Sequence, residues 1–195
     1  MTCPDSLCFG LLAGGKSRRM GRDKAELNWH GQPLWQHQLR LAAEINANEI
    51  LISGNSEGPY RYGALVVPDE TPDAGPVAGV ATLLGAMKSE WLVAVAVDMP
   101  FLNATAVSLL LDARSDGRGA VPRINGRAEP LAAVYPRRLV TTARAHVASA
   151  DRSLQAFVRA AQAAGFVELI DWPGAQAAAL RSLNTPQEWD MALKT

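Results

Sequence analysis

Cysteine is scarce in this chain: 195 residues hold only Cys3 and Cys8. The two have neither C-x-x-C spacing nor a histidine nearby, so free thiols are expected rather than a disulfide or a metal site. Histidine is nearly as rare. His30, His37 and His146 are scattered, with no carboxylate or nucleophile at motif spacing. A Ser-His-Asp or Cys-His mechanism therefore has no support, and the three are expected at the surface. Aromatic residues make up 6% of the chain, and its five tryptophans, Trp29, Trp35 and Trp91 among them, suit a core or its rim better than a base-stacking platform. Net charge is zero, which argues against a nucleic-acid partner, since that demands a broad basic face. No apolar run approaches the length of a bilayer span, so no membrane partner is expected. Met1 to Ser6 shows no basic leader and no long apolar stretch follows, which points to the cytoplasm.

What the sequence does have is one domain's worth of ordinary globular composition, with 48% hydrophobic and 19% charged residues. There is no internal repeat, low-complexity segment or linker. Near the start, the apolar run Leu7 to Ala13 feeds directly into Gly14-Gly15-Lys16-Ser17-Arg18-Arg19-Met20-Gly21-Arg22-Asp23-Lys24. Adjacent glycines remove the Cβ atoms that would hold a ligand off the main chain, so backbone N–H groups can converge on anionic oxygens. Lys16, Arg18, Arg19, Arg22 and Lys24 repel one another unless an anion sits among them, and a polyphosphate is the natural occupant. A solvated basic turn is the alternative, but it needs neither the double glycine nor the feeding strand.

Gly10 to Ser17 also matches the Walker A pattern G-x-x-x-x-G-K-[ST] residue for residue. In a P-loop the first glycine ends the strand and a helix with an apolar face starts at the Lys-Ser pair. Here Gly10 to Ala13 is strand-like, and Arg18 to Lys24 contains a single apolar residue, Met20, so an extended loop is expected after Lys16.

Along the chain, strands are expected at Leu7 to Ala13, Glu49 to Ser53, Ala64 to Val67 and Trp91 to Val97. Helices alternate with them, opened by Pro33 and by Pro76. Alternation of this kind requires crossovers and hence a parallel sheet. Beyond it, Leu102 to Arg114 is helical, and strands at Gly119 to Ile124 and Glu129 to Tyr135 flank the hairpin signal Asn125-Gly126. Helices near Arg137 to Ala148 and Asp151 to Ala164 and a strand at Phe166 to Ile170 follow. Thr185, Pro186 and Glu188 form a capping box for a last helix, leaving Asn184 over. The fold class is α/β: three layers, with a mostly parallel central sheet flanked by helices and a small antiparallel appendage.

In such sheets ligands bind beyond the carboxyl ends of the strands, and the polar residues collect there: the glycine-rich loop, Ser53 to Asn55, Asp69 and Asp98. Asp98 directly follows Leu92 to Val97, where one carboxylate with ligand phosphates and waters makes a typical magnesium site. A helix cap or turn is the alternative for Asp98, and a turn for Asp69.

Together, Leu12 to Lys24, Gly75-Pro76-Val77-Ala78-Gly79, Val97-Asp98-Met99-Pro100, Glu129-Pro130-Leu131 and Asn184-Thr185-Pro186 resemble the molybdenum cofactor guanylyltransferases, within the nucleotidyltransferase superfamily. The first motif is shared across that superfamily. Gly15, where related cytidylyltransferases typically carry alanine, and the Gly-Pro-x-Ala-Gly segment single out this branch. The resemblance implies a Rossmann-like nucleotidyltransferase fold and Mg2+-dependent transfer of GMP from GTP to molybdopterin. It implies that Leu12, Ala13, Gly14 and Gly15 hold the nucleotide, that Lys24 meets its phosphates with Arg18 and Arg19 beside it, and that Asp69 helps bind it. Asp98 would ligate the metal and Asn184 the acceptor. The family can use an asparagine just after the second strand; this chain offers Ser53 there and Asn55 two residues on, and Asn55 is taken as the contact with that choice open. Residues 1–100 are expected to form the nucleotide-binding half and 101–195 the acceptor-binding half of one domain. Molybdoenzymes or cofactor-insertion proteins are the protein partners the resemblance admits. The rival functions are a P-loop NTPase using Lys16 and Asp98, and a non-catalytic nucleotide- or cofactor-binding module.

Overall fold

The computed structural model describes residues 6–14, 23–54, 58, 60 and 64–194. The first half is built from β1 (Leu7–Leu12), a small hairpin of β2 (Asn28–Trp29) and β3 (Gln32–Pro33), α1 (Leu34–Glu44), β4 (Glu49–Ser53), β5 (Leu65–Val67), α2 (Pro76–Ala86) and β6 (Trp91–Ala96). The second half contributes α3 (Ala104–Asp112), β7 (Gly119–Ile124), β8 (Arg127–Ala128), β9 (Ala132–Pro136), α4 (Val140–Val147), α5 (Leu154–Ala163), β10 (Val167–Asp171) and α6 (Pro186–Ala192). Among the described residues the central sheet has eight strands in the order β10-β7-β9-β6-β1-β4-β5, with β8 paired to β7. β1 lies between β4 and β6, parallel to both, as its continuous apolar sequence requires. β9 runs antiparallel between β6 and β7, so the two halves share one sheet. The antiparallel additions are the β7–β8 hairpin and the separate β2–β3 pair. At the hairpin tip Asn125 and Gly126 have φ of 49° and 77°, the left-handed pair that a tight two-residue turn demands.

Alternation along the strands divides the core into two layers. Phe9, Leu11, Ile52, Val93, Val95 and Val134 pack with α1, α3 and α6, while Cys8, Leu12, Leu51, Leu92, Ala94 and Tyr135 pack with α2, α4 and α5. All five tryptophans are buried, and burial pushes the Cys8 thiol up, which keeps it inert. Gly10 sits inside β1, paired with Leu51 and Ala94. A Cβ there would fall 2.5 Å from Leu92 Cδ1 and 2.9 Å from Leu83 Cδ1, so this glycine serves close approach of α2 to the sheet. The P-loop reading fails at this point, because the strand continues two residues past its first glycine.

Several boundaries move for local reasons. Pro33 caps α1 rather than opening it, since its ψ of 142° is extended. Asn103 caps α3 by accepting from Ala106 N–H, and Ser153 caps α5 by accepting from Ala156 N–H, each delaying its helix. The strand expected from Glu129 to Tyr135 begins only at Ala132; Glu129-Pro130-Leu131 lies outside it, and Leu131 lines the site described next. The expected box on α6 is present, with Thr185 and Glu188 capping each other's backbone. No helix among the described residues is long and apolar enough to cross a membrane.

Candidate active site

Parallel register brings the carboxyl ends of β1, β4 and β6 to one level: Leu12 stands opposite Ser53 on one side and Ala96 on the other. Backbone hydrogen bonds carry the alignment one residue further, from Ala13 N–H to Ser53 O (3.0 Å) and from Val97 N–H to Leu12 O (3.1 Å). The cavity above these ends, about 870 Å³, is lined by Leu12, Ala13 and Gly14 from the first loop, by Lys24, Asp69 and Asp98, and by Asp23, Ser53, Tyr60, Asp73, Gly75, Pro76, Gly79, Ala96, Val97 and Leu131. Six of the expected site residues thus share one cleft. Gly15, Arg18, Arg19 and Asn55, together with Lys16, lie outside the described residues.

The charged centre of the cleft is Lys24, the first residue of a short 3-10 turn capped by Asp23, whose side chain accepts from Ala25 N–H. Its Nζ donates to Asp98 Oδ2 (2.7 Å) and to Asn184 Oδ1 (2.8 Å). Lys24 and Asp98 side chains are 19% and 20% exposed, so this pair is only partly screened. Asn184 is delivered by the chain on either side of it: Leu183 N–H donates to Asp98 O (2.8 Å), and the capping box holds Asn184 N–H on Glu188 Oε2 (2.7 Å). The residue that the capping box left over therefore closes on the cation at the other end of the sequence.

On the opposite side of the cleft Ser53 Oγ donates to Asp69 Oδ1, and a Cβ added to Gly14 would lie 3.7 Å from the other Asp69 oxygen. Ser53, one of the two residues offered for the nucleotide contact after the second strand, thus bonds to Asp69; the other, Asn55, lies outside the described residues. The N-terminus of α2 opens onto the cleft through Gly75 and Pro76. Gly75 adopts φ 80° there, a conformation that favours glycine, and the first turn of the helix presents the positive end of its dipole. Tyr60 was missed because its neighbours read only as loop; its hydroxyl donates to Asp23 Oδ2 (3.4 Å), and burial together with that carboxylate pushes the phenol up, so it stays a neutral donor. Burial also raises the Glu129 carboxyl, two residues before Leu131. His37 departs from expectation: it is half-buried beneath the Asp98 loop, with Nε2 2.8 Å from Pro100 O.

Among the described residues no three His, Cys, Asp or Glu side chains form a cage for a metal. A cation that takes most of its ligands from phosphate oxygens and water needs only one protein carboxylate, and Asp98 at the strand mouth fits that demand.

Residues 10–183 match the family described as the MobA-like NTP transferase domain. The chain belongs to this family. It is 36% identical over 189 residues to a probable molybdenum cofactor guanylyltransferase of Opitutus terrae, covering 95% of this chain and 94% of that protein. It is 34% identical over 149 residues to a molybdenum cofactor guanylyltransferase of Pseudomonas entomophila, covering 74% and 78%. The solved structure of molybdopterin-guanine dinucleotide biosynthesis protein A from Archaeoglobus fulgidus superposes with a TM-score of 0.75 over 96% of this chain and 97% of that one, at 20% identity, a likeness of fold. The chain is thus a MobA-like nucleotidyltransferase, and its cleft brings Lys24, Asp98 and Asn184 together.

Proposed function

We propose that this chain transfers GMP from GTP to the terminal phosphate of molybdopterin, yielding molybdopterin guanine dinucleotide and pyrophosphate. The observation that carries the reading is the convergence of Lys24, Asp98 and Asn184 at the mouth of a parallel sheet. A phosphate oxygen of the acceptor attacks the α-phosphorus of GTP, the bond from that phosphorus to the bridging oxygen of the β-phosphate breaks, and pyrophosphate departs with the electron pair. The nucleophile arrives as an anion, so the protein needs no catalytic histidine or serine; it must hold two anions together. Two unit charges about 4 Å apart repel by about 4 kcal/mol at an effective dielectric near 20, which sets the scale of the task. Lys24, with Arg18 and Arg19, would meet the phosphates and the charge developing on pyrophosphate. Asp98 would hold Mg2+, which supplies neutralisation of phosphate oxygens. Leu12, Ala13, Gly14 and Gly15 would carry the nucleotide, with Asp69 and Asn55 as further contacts.

Asn184 would meet the acceptor. Residues 1–100 form the nucleotide half and 101–195 the acceptor half of a single cytoplasmic domain, whose product passes to molybdoenzymes or cofactor-insertion proteins. Guanine preference is placed at Gly15, so Gly15→Ala should weaken GTP use relative to CTP at unchanged Tm; a wild type using both equally overturns the base assignment. The decisive assay is pyrophosphate release from GTP, CTP and ATP with and without molybdopterin. Release only with GTP and acceptor supports the reading. Inorganic phosphate without acceptor, or no product at all, refutes it in favour of an NTPase or a binding module.

A further inference from the structure

Gln38 is a polar residue at a position that packing alone would fill with an apolar one. It lies on α1 among Leu34, Trp35, Leu41 and Ala42, and it is fully buried. An amide placed in an apolar layer is costly unless its hydrogen-bonding groups are used. Here only the donor is used: Nε2 donates to Met99 O (2.8 Å) and reaches Val97 O (3.4 Å), while Oε1 is buried without a hydrogen-bond partner among the described residues. Those two carbonyls flank Asp98. The preceding residue on α1, His37, places Nε2 2.8 Å from Pro100 O; a carbonyl only accepts, so Nε2 carries the proton. Leu183 N–H takes the remaining carbonyl, that of Asp98 itself. Every carbonyl from Val97 to Pro100 thus receives a donor from the surrounding protein, two of them from the side chain of Gln38 and one from that of His37.

We propose that Gln38, supported by His37, is a positioning residue that fixes the Val97–Pro100 segment and so sets where the Asp98 carboxylate stands relative to Lys24 and Asn184. The inference rests on the reading of Asp98 as the metal- and phosphate-organising carboxylate. Its chemical content is that α1, which contributes no residue to the lining of the cleft, controls the cleft through the backbone of its central loop. A displacement of the reacting groups by about 1 Å can cost about 100-fold in rate, so the loss of two donors beneath Asp98 has ample leverage.

The test replaces Gln38 by methionine, which keeps the length and removes both donors. Gln38→Met should lower kcat about 10-fold or more, leave the KM for GTP within about twofold, and weaken Mn2+ binding to the enzyme–GTP complex, read by electron paramagnetic resonance, about threefold or more. Tm should change little, because the unpaired buried Oε1 is removed while Val97 O loses a donor and Met99 O keeps the N–H of Leu102 (3.2 Å). Asp98→Asn is measured in parallel. If Asp98→Asn is inactive while Gln38→Met keeps wild-type kcat and Mn2+ affinity, the positioning role is overturned and the Asp98 reading stands. If Asp98→Asn is itself fully active, both fall. Should Gln38→Met fail to fold, His37→Phe decides: it keeps an aromatic ring beside Trp29, 6.1 Å between centroids in the native pair, and removes only the Pro100 bond. A fall in kcat of about threefold without a change in GTP KM supports the proposal, and an unchanged kcat overturns it.

Discussion

Lys24→Met is the most searching perturbation of the cleft. The substitution preserves much of the aliphatic stem and removes a cation held 2.7 Å from Asp98 and 2.8 Å from Asn184. A hydrogen bond to a charged group is worth about 1.5–3 kcal/mol, and the bonds to Asp98 and Asn184 are both of this kind. Partial exposure of both ends of the ion pair, 19% and 20%, and the freedom of Asp98 to recruit water reduce the net loss to about 2 kcal/mol. For a chain of this length that is a fall in Tm of about 4–8 °C. The loss in turnover should be much larger in proportion. Removing one preorganised group that meets developing charge costs about 100- to 1,000-fold in kcat, or about 2.7–4 kcal/mol of transition-state stabilisation. Pyrophosphate release measured at saturating GTP and acceptor, alongside thermal unfolding by circular dichroism, separates the two effects. Asn184→Ala leaves the Lys24–Asp98 pair intact and should lose less on both counts. A Lys24→Met protein within threefold of wild-type kcat would refute the assignment of the charged centre.

Three further outcomes are expected. Asp98→Asn keeps a neutral acceptor for Lys24 but removes the charge that holds the metal, so turnover should fall at least about 100-fold while Tm drops only about 2–4 °C; retained activity with unchanged Mg2+ dependence would count against it. Gly79→Ala places a Cβ 2.7 Å from Ser53 Oγ and 3.0 Å from Leu12 Cδ2, pushing the hydroxyl off Asp69, so the KM for GTP should rise about 10-fold with a smaller change in kcat, and an unaltered KM would show that the Ser53–Asp69 bond is dispensable. The hydrogen bonds from Arg144 hold the Glu70 carboxyl below the 4.5 of an ordinary glutamate, so the pair stabilises the fold above that pH and its contribution is lost as the pH falls through the depressed value. Both ends are about half exposed, at 46% and 52%, so solvent screens the pair and its effect is small; Arg144→Met should lower Tm slightly at pH 7, and the gap should close on acidification. A gap independent of pH would refute the pairing.

Local chemistry was legible in the sequence wherever a short-range rule is enough. The apolar runs of β1 and β6 announce strands covered on both faces, and Asn125-Gly126 announces its turn because few other residues accept positive φ at both positions. Thr185 and Glu188 announce the start of α6 because each needs only the other's backbone. Even the location of the cleft follows, since a parallel sheet collects ligands at its carboxyl edge and Gly14, Asp69 and Asp98 each follow an apolar strand.

Long-range partners were not legible. Lys24 reaches Asp98 across 74 residues and Asn184 across 160, and nothing in the spacing of basic residues in the loop singles out Lys24 as the cation that does so. Gly10 appeared as part of a phosphate-loop pattern because sequence shows a glycine's freedom and conceals the neighbour that requires it; here Leu92 and Leu83 do. Gln38 is the sharpest case. Helical spacing alone marks Leu34, Trp35, Leu39, Ala42 and Ile45 as the apolar face of α1, whereas the buried set is Leu34, Trp35, Gln38, Leu41 and Ala42. A glutamine at a core-facing position looks the same in sequence as one turned to water until its acceptors are known. Those acceptors, the carbonyls of Val97 and Met99, are backbone groups, which every residue carries and no sequence marks. The sequence by itself determined which segments are strands and helices and which loops are rich in charge. Only the tertiary structure decided which of those charges meet, because contact between distant side chains depends on strand order and register, and these are properties of the whole sheet.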